Sequence, residues 1–275
     1  MITSCNRFDL LKKTLESFSK NNTYPIKEII IIEDSGNPKI RNIIPNQWLD
    51  NTKLIINEKN LGQIKSIDLA YQEVKTDYIF HCEDDWLFYR SGFIEDSMTI
   101  LESDQSILTV WLRDIEKDIE KNYPFHYVFN EKKIDKISFY QLGSKSSDWR
   151  GFTFNPTLKR KSDYKKLLRY ERYNMKAITT EAFLSNFYDA IGMHVVILKD
   201  SAVEHIGWND HVFTLEEKQK ILNEKRNRKY RKYKHILLGV ILGIIIGALV
   251  INHGFLSYMY TLFTYISCLV SLFAI

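Results

Sequence analysis

The strongest chemical signal in the sequence is a run of three acids, Glu83-Asp84-Asp85, directly after the apolar segment 77–82. Carboxylates this close raise one another's pKa when they are desolvated, and a bound cation relieves that repulsion. Such hard oxygen donors suit Mg²⁺ or Mn²⁺, whose coordination is often completed by phosphate oxygens of a substrate. A solvated acidic turn is the alternative, but the preceding strand-like run and the following Trp86 favour a metal site.

Three further polar clusters follow apolar runs in the same way, at 3–7, 33–36 and 57–60. In sheets of parallel strands, ligands bind beyond the carboxyl ends of the strands. We therefore expect these clusters to meet the acids at 83–85 in one crevice.

The elements that must position these clusters alternate between strand and helix. The run KEIIII at 27–32 predicts a strand buried on both faces, and Leu11, Leu15 and Phe18 have helical spacing. This alternation predicts an α/β fold with a mostly parallel sheet flanked by helices. Later segments predict a helix at 93–102, strands at 107–113 and within 123–140, a loop at 144–156, a helix at 181–191 capped by Thr180 and stopped by Gly192, and a final strand pair at 194–198 and 202–205.

Four segments together resemble family 2 glycosyltransferases of the GT-A fold, which are nucleotide-sugar-dependent enzymes. They read TSCNRFDLLKKTLESF, IIIIEDSG, NEKNLGQIKSIDLAY and HCEDDWLF, in that order. The resemblance implies a GT-A, Rossmann-like sheet. Family members usually carry more apolar residues before the first segment, so we expect either a truncated start or a short first strand.

The resemblance also implies the residues that bind the donor. Thr3 and Arg7 would line the nucleotide pocket, and Asp34 would accept a hydrogen bond from the base or ribose. Lys65 would meet the base edge or a phosphate, with a solvated helix lysine as the alternative. Asp84 would also face the donor.

Metal ligation is implied by the same resemblance. Asp85 and Asp84 would hold Mn²⁺ or Mg²⁺, with Asp85 the more direct ligand. His205, in AVEHIG, resembles a late histidine that reaches back to the metal or the diphosphate. A purely structural histidine is the alternative.

On the acceptor side, the resemblance implies that Glu181, in TTEAFLSNFYDAIG, is the general base. A carboxylate in the first turn of a helix is also favoured by the helix dipole, which is the structural alternative. Asp189 is a less favoured candidate for the base. We expect Trp86, Trp149 and Arg150 to contact the acceptor, with a contact to the diphosphate as the alternative for Trp149 and Arg150.

The distribution of charge divides the chain of 275 residues, whose net charge is +4. Residues 216–235 carry nine basic and three acidic side chains, and 236–275 carry no charge. We predict a GT-A domain at 1–215, a basic juxtamembrane collar at 216–235 and a hairpin of two transmembrane helices at 236–275. A buried helical hairpin is the alternative to a membrane anchor. The collar predicts a membrane protein whose catalytic domain faces the cytoplasm.

Possible partners follow from the same pattern. Gly239, Gly243 and Gly247 favour close helix contact, either with the second span or in a homodimer. Residues 1–215 carry 29 basic and 31 acidic side chains, so no nucleic-acid partner is expected. The first residues do not resemble a cleavable secretory signal. Three cysteines without a CxxC pair favour a reducing compartment and argue against structural zinc.

Together with the resemblance, these observations predict a metal-dependent glycosyltransferase that moves a single sugar from a nucleoside-diphosphate sugar to an acceptor hydroxyl of a glycan or glycoconjugate. The resemblance implies that transfer inverts the anomeric carbon. The Gln-Arg-Arg-Trp motif of processive synthases is absent from the sequence, which favours transfer of a single sugar. One alternative is a polyprenyl-phosphate glycosyltransferase, whose acceptor is a lipid phosphate. Another is a catalytically silent membrane protein that binds nucleotide sugars.

Overall fold

The computed structural model describes residues 1–173, 175, 177–208, 259 and 262–267. The strands are β1 (Ile2–Ser4), β2 (Ile29–Glu33), β3 (Thr52–Ile56), β4 (Tyr78–Glu83), β5 (Trp86–Phe88), β6 (Ile107–Trp111), β7 (His126–Ile134), β8 (Ile137–Ser144), β9 (Thr157–Arg160), β10 (His194–Leu198) and β11 (Val203–His205). The α-helices are α1 (Phe8–Asn21), α2 (Gln63–Glu73), α3 (Phe93–Ser103), α4 (Glu120–Asn122), α5 (Lys161–Lys165) and α6 (Ala177–Ala190).

The first sheet has the order β3-β2-β1-β4-β9. Strands β1 to β4 are parallel, and β9 is antiparallel to β4. Every residue of β2 is buried because both faces are covered. Ile29 and Ile31 belong to the apolar cluster that includes α1, whereas Ile30 and Ile32 belong to the cluster that includes α2. The predicted α/β fold with helices on both faces of the sheet is confirmed.

The carboxyl ends of the parallel strands meet as predicted. Thr3 pairs with Glu83 across β1 and β4, and Ser4 pairs with Glu33 across β1 and β2. The backbone N–H of Asn57 donates to the carbonyl of Glu33 at 2.9 Å. The four polar clusters therefore share one edge of the sheet.

The last two strands differ from the prediction because they do not pair with each other. β10 lies in a second sheet of order β6-β10-β8-β7, parallel to β6 and antiparallel to β8. β11 instead pairs with β5, which starts directly after the three acids, and this places His205 opposite Trp86. The pairing brings the end of β11 to the acidic cluster.

Helix α6 also begins earlier than predicted. It starts at Ala177, so Thr180 lies inside the helix rather than at its cap, and Glu181 lies beyond the first turn. Thr180 is fully buried, and its hydroxyl lies 3.4 Å from the carbonyl of Met175. The predicted stop is present, since Gly192 has a φ of +81°.

By its internal contacts the chain divides into two compact units, Met1–Val212 and Phe213–Ile275. The predicted collar lies outside the described residues. So does the predicted hairpin with Gly239, Gly243 and Gly247, apart from 259 and 262–267. Within the described part of the chain, no helix combines the length and the apolar character needed to cross a membrane.

Candidate active site

Arg7 joins the two aspartates at the end of β4. Its Nη1 lies 2.8 Å from Oδ2 of Asp85, its Nη2 donates to Oδ1 of Asp84, and its Nε lies 3.3 Å from Oδ2 of Asp84. The backbone N–H of Cys5 also donates to Asp84 at 3.2 Å. Arg7 directly precedes α1, so the turn after β1 carries the guanidinium to the acids. The prediction placed these residues in one pocket but did not foresee their pairing.

Burial and pairing change the protonation of the two aspartates in opposite directions. Burial raises the pKa of Asp84 to about 6, although the charge of Arg7 opposes that rise. Burial also acts to raise the pKa of Asp85, but hydrogen bonds and charges from His205 and Arg7 outweigh it and hold the pKa below its usual value. Asp85 is therefore the more readily ionised of the two.

His205 is placed against Asp85 by the pairing of β11 with β5. Its Nε2 lies 3.2 Å from Oδ2 of Asp85, and its ring lies 4.9 Å from the ring of Trp86. The backbone N–H of Ile206 donates to the carbonyl of Asp85 at 2.9 Å. At Gly207 a Cβ would lie 2.4 Å from Oδ2 of Asp85, so the chain approaches this closely only because the residue is glycine.

The donor atoms of this cluster fit a divalent metal. Oδ1 of Asp85 is buried and has no hydrogen-bond partner among the described residues, and the imidazole of His205 lies on the other carboxylate oxygen. Mixed carboxylate and imidazole donors suit Mn²⁺. No group of three or more His, Cys, Asp or Glu side chains in the described ranges could hold a metal together. The chain would thus supply a small number of ligands, with phosphate oxygens completing the coordination.

Asp34 is engaged with the protein rather than open to a ligand. Its Oδ1 accepts from Nδ2 of Asn57 and from the N–H of Leu61, and its Oδ2 accepts from the N–H of Gly62, each at 2.8 Å. The side chain is 4% exposed. Asp34 therefore holds the loop between β3 and α2, and its contact with a base or ribose stays a prediction.

Two buried polar atoms beside Asp34 lack partners. Oε2 of Glu33 and Oγ of Ser4 make no hydrogen bond within the described chain. Thr3, which precedes Ser4 in β1, is also buried. Lys65 is exposed on α2. These positions leave the assignment of the donor pocket as a prediction.

Glu181 lies in α6 with one oxygen held by backbone and side chain. Its Oε1 accepts from the N–H of Phe154 at 2.7 Å and from Oγ1 of Thr153 at 3.1 Å. Its Oε2 has no hydrogen bond among the described residues. Burial raises the pKa of Glu181, while those hydrogen bonds and the charge of Lys159 act against the rise. This carboxylate is oriented by one oxygen and able to accept a proton on the other.

Glu83 is the last residue of β4 and directly precedes the two aspartates. It accepts from Nε2 of Gln63 at 2.6 Å and from Nε1 of Trp86 at 3.4 Å. Burial, and then the charges of Asp85, Glu181 and Asp84, raise its pKa well above the usual value. The charges of the two aspartates and of Glu181 therefore act in the same direction on the pKa of Glu83.

Two buried cations near the site were missed by the sequence analysis. Nζ of Lys159 donates to the carbonyl of Thr153 at 2.7 Å, and burial lowers its pKa to about 7 although the charges of Glu181 and Glu83 oppose the change. Arg113 makes two hydrogen bonds of 2.7 Å to Asp118, and its guanidinium lies 5.3 Å from the ring of Trp86. Neither belongs to a local motif, so the sequence carried no signal for them.

The residues predicted to bind the acceptor lie in different surroundings. Trp86 is 1% exposed, which favours a packing role for its ring. Trp149 is partly buried, with its ring 5.2 Å from that of His126. Arg150 is exposed, and its Nε lies 4.0 Å from Oδ2 of Asp189 at the other end of α6 from Glu181. Contact of these residues with an acceptor stays a prediction.

A mostly parallel sheet with polar clusters at the carboxyl ends of its strands defines the class of α/β proteins that bind ligands at that edge. The chain belongs to Glycosyl transferase family 2, whose sequence profile matches residues 1–167. The resemblance read from the sequence is therefore confirmed. No curated protein sequence matches the chain.

Solved structures with the same fold include two glycosyltransferases. The mannosyltransferase PcManGT from Pyrobaculum calidifontis, in complex with GDP-Man and Mn²⁺, superposes with a TM-score of 0.54 at 10% identity over 76% of this chain and 58% of its own. GalNAc-T7 with UDP, GalNAc and Mn²⁺ superposes with a TM-score of 0.54 at 14% identity over 74% of this chain and 43% of its own. The chain thus spans about half the length of these proteins, and the likeness shows a GT-A fold.

Proposed function

We propose that this protein transfers one sugar from a nucleoside-diphosphate sugar to an acceptor hydroxyl, with inversion at the anomeric carbon. The observation that carries the proposal is the cluster of Asp84, Asp85 and His205 at the end of β4, in which Oδ1 of Asp85 is buried without a hydrogen-bond partner among the described residues. Such a cluster offers a site for a metal and a diphosphate, and Glu181, oriented by Phe154, offers a proton acceptor. Family membership and the nucleotide-sugar and Mn²⁺ complexes of proteins with this fold support it.

Asp85 and His205 are the residues that would hold the divalent ion, and their mixed oxygen and nitrogen donors favour Mn²⁺ over Mg²⁺, which prefers oxygen ligands. When bound, such an ion stabilises the negative charge of a departing diphosphate. Arg7 keeps Asp84 and Asp85 together in the folded chain. It also offers a cation to a phosphate oxygen if the donor displaces one of its carboxylate contacts.

Glu181 would act on the acceptor. The N–H of Phe154 fixes Oε1, so Oε2 is oriented to accept the proton of the attacking hydroxyl. The acceptor oxygen forms its bond to the anomeric carbon as the bond from that carbon to the diphosphate oxygen breaks. The proton goes to Glu181 and then to solvent, and the electron pair of the broken bond leaves on the diphosphate. One displacement from the opposite side inverts the anomeric centre.

We further propose that this reaction takes place at the cytoplasmic face of a membrane. The support is the sequence of the C-terminal part, where a basic run at 216–235 precedes the uncharged residues 236–275. The same feature favours a second candidate function, transfer of the sugar to a polyprenyl phosphate. A radiolabelled product that partitions into organic solvent would distinguish the lipid acceptor from a glycan.

The test uses the purified full chain with Mn²⁺ and UDP-, GDP-, CMP- and dTDP-sugars, and measures release of the nucleotide with and without acceptors. Asp85→Asn and Glu181→Gln are expected to lower transfer by about a hundredfold or more. The matched controls are Asp50→Asn and Glu102→Gln, whose carboxylates are exposed. Wild-type turnover in both site variants would refute these assignments. Donor binding by calorimetry without turnover for any acceptor would instead support the silent binding protein.

A further inference from the structure

A second cleft lies on the sheet β6-β10-β8-β7, beside the C-terminal half of α6. Its volume is about 190 Å³. Pockets for drug-sized ligands are commonly about 300–1,000 Å³, so this cleft is suited to a smaller group. The side chains that matter for its chemistry are Tyr127, Phe129, Gln141, Arg150 and Asp189.

One wall of the cleft is aromatic and open to solvent. Tyr127 is 46% exposed and Phe129 is 37% exposed, and their ring centroids are 5.6 Å apart at an angle of 35°. Both lie on β7 two residues apart, so they share one face of the sheet. Together they present two tilted, partly exposed rings on one face of the sheet.

Gly143 on β8 explains why the ring of Tyr127 lies against the sheet. The two residues are paired across the strands, and a Cβ at 143 would lie 2.5 Å from Cζ of Tyr127. Only a glycine leaves room for the ring there. The sheet thus supports one face of the ring, while 46% of the residue remains exposed.

Two charged, planar side chains also line the cleft. Arg150 and Asp189 face each other with a separation of 4.0 Å between Nε and Oδ2, and their side chains are 42% and 57% exposed. An ion pair this open contributes little to stability, so both groups remain available to a ligand. A guanidinium donates, a carboxylate accepts, and each can engage two neighbouring hydroxyl groups.

We propose that this cleft binds one hexopyranose unit of the acceptor, at a distance from the reacting hydroxyl. A pyranose ring combines a face of C–H groups, which packs on aromatic rings, with a rim of hydroxyls that donate and accept hydrogen bonds. The paired rings of Tyr127 and Phe129 match the first property, and Arg150 with Asp189 matches the second.

Helix α6 connects the cleft to the candidate base. Glu181 accepts from the N–H of Phe154, Ser185 accepts from the N–H of Phe152, and Asp189 faces Arg150, so one face of the helix follows the segment 150–154. A rise of about 1.5 Å per residue places Asp189 about 12 Å along the axis from Glu181. A sugar in the cleft would therefore be a remote unit of an extended acceptor. The inference rests on the proposed function.

The test measures binding of methyl β-glycosides of glucose, galactose and N-acetylglucosamine to the full chain by saturation-transfer-difference NMR. We expect binding of at least one glycoside with a Kd of about 1 mM, and a Kd about fivefold to tenfold weaker in Tyr127→Ala. The matched control is Tyr89→Ala, which removes a ring of the same 46% exposure outside the cleft and should leave binding unchanged. Phe129→Leu provides a second, milder variant should Tyr127→Ala fail to fold.

Two results would overturn the proposal: no binding of any of the three glycosides to the wild-type chain, or equal binding in the Tyr127 and Tyr89 variants. Failure of the proposed function has a different signature. It would appear as donor hydrolysis, measured without any acceptor, that is the same in the wild-type chain and in Asp85→Asn. The glycoside measurements do not depend on that outcome.

Discussion

The imidazole Nε2 of His205 lies 3.2 Å from Oδ2 of Asp85, and this contact exists because β11 pairs with β5. β5 starts directly after Asp85, so the antiparallel pairing carries the late histidine back to the acids. The short distance means that both donor atoms can approach one ion. The acid and the histidine thus form one unit although they come from distant segments of the chain.

Removing the histidine should weaken metal binding. His205→Ala takes away a nitrogen donor, and we expect the Kd for Mn²⁺ to rise by about tenfold or more. Electron paramagnetic resonance of free Mn²⁺ measures this without any turnover. His194→Ala, which changes a partly buried histidine on β10, should bind Mn²⁺ like the wild-type chain. Equal affinity in all three proteins would exclude His205 as a ligand.

The acid limb of the pH profile should depend on Lys159. A general base must be ionised, so kcat/KM is expected to fall as pH drops through the pKa of Glu181, which burial has raised. The positive charge of Lys159 acts to lower that pKa. Lys159→Met should therefore move the acid limb to higher pH. Lys39→Met, at an exposed position, is the control and should leave the acid limb unchanged. An acid limb at the wild-type pH in Lys159→Met would contradict the effect of Lys159 on the pKa of Glu181.

Lys159 should also make the free energy of unfolding change with pH in the neutral to alkaline range. Its pKa is lowered by burial from 10.5 to about 7 in the folded chain. Between these values the unfolded chain binds more protons than the folded one, so stability attributable to this group rises with pH from about 7 to 10.5. Urea titrations at several pH values should show that rise in the wild-type chain and lose it in Lys159→Met. The same pH dependence in both would refute the lowered pKa.

Asp34 should contribute to the stability of the folded chain through its hydrogen bonds to Leu61 and Gly62. In the folded chain the N–H groups of Leu61 and Gly62 each donate to a different carboxylate oxygen of Asp34 at 2.8 Å. Asp34→Asn removes the negative charge and replaces one of these two acceptors with an amide donor. Hydrogen bonds to a charged group contribute about 1.5–3 kcal/mol, and we expect a loss of about 2–4 kcal/mol in the free energy of unfolding. Denaturant titration measures it, with Asp50→Asn at an exposed position as the control. A loss within about 0.5 kcal/mol, typical of a surface change, would show that Asp34 does not hold the loop.

Local pattern predicted the first sheet well because its signals are contiguous. The isoleucines of β2 face α1 and α2 alternately, so an uninterrupted apolar run was the correct sign of a strand buried on both faces. The predicted start of α6 was wrong, because a local cap signal was given too much weight. Thr180 has the side chain of a helix cap, but tertiary burial places it inside the helix.

The α/β order, the family, and the edge of the sheet where the polar clusters meet could be predicted from the sequence, because each depends on residues that are neighbours along the chain. The partners that those residues take are seen in the folded chain. Arg7 pairs with both aspartates, Asp34 accepts from the N–H groups of Leu61 and Gly62, and Lys159 and Glu181 both bond to Thr153. These contacts join distant segments, and their energies come from burial and charge at positions that no local spacing reveals.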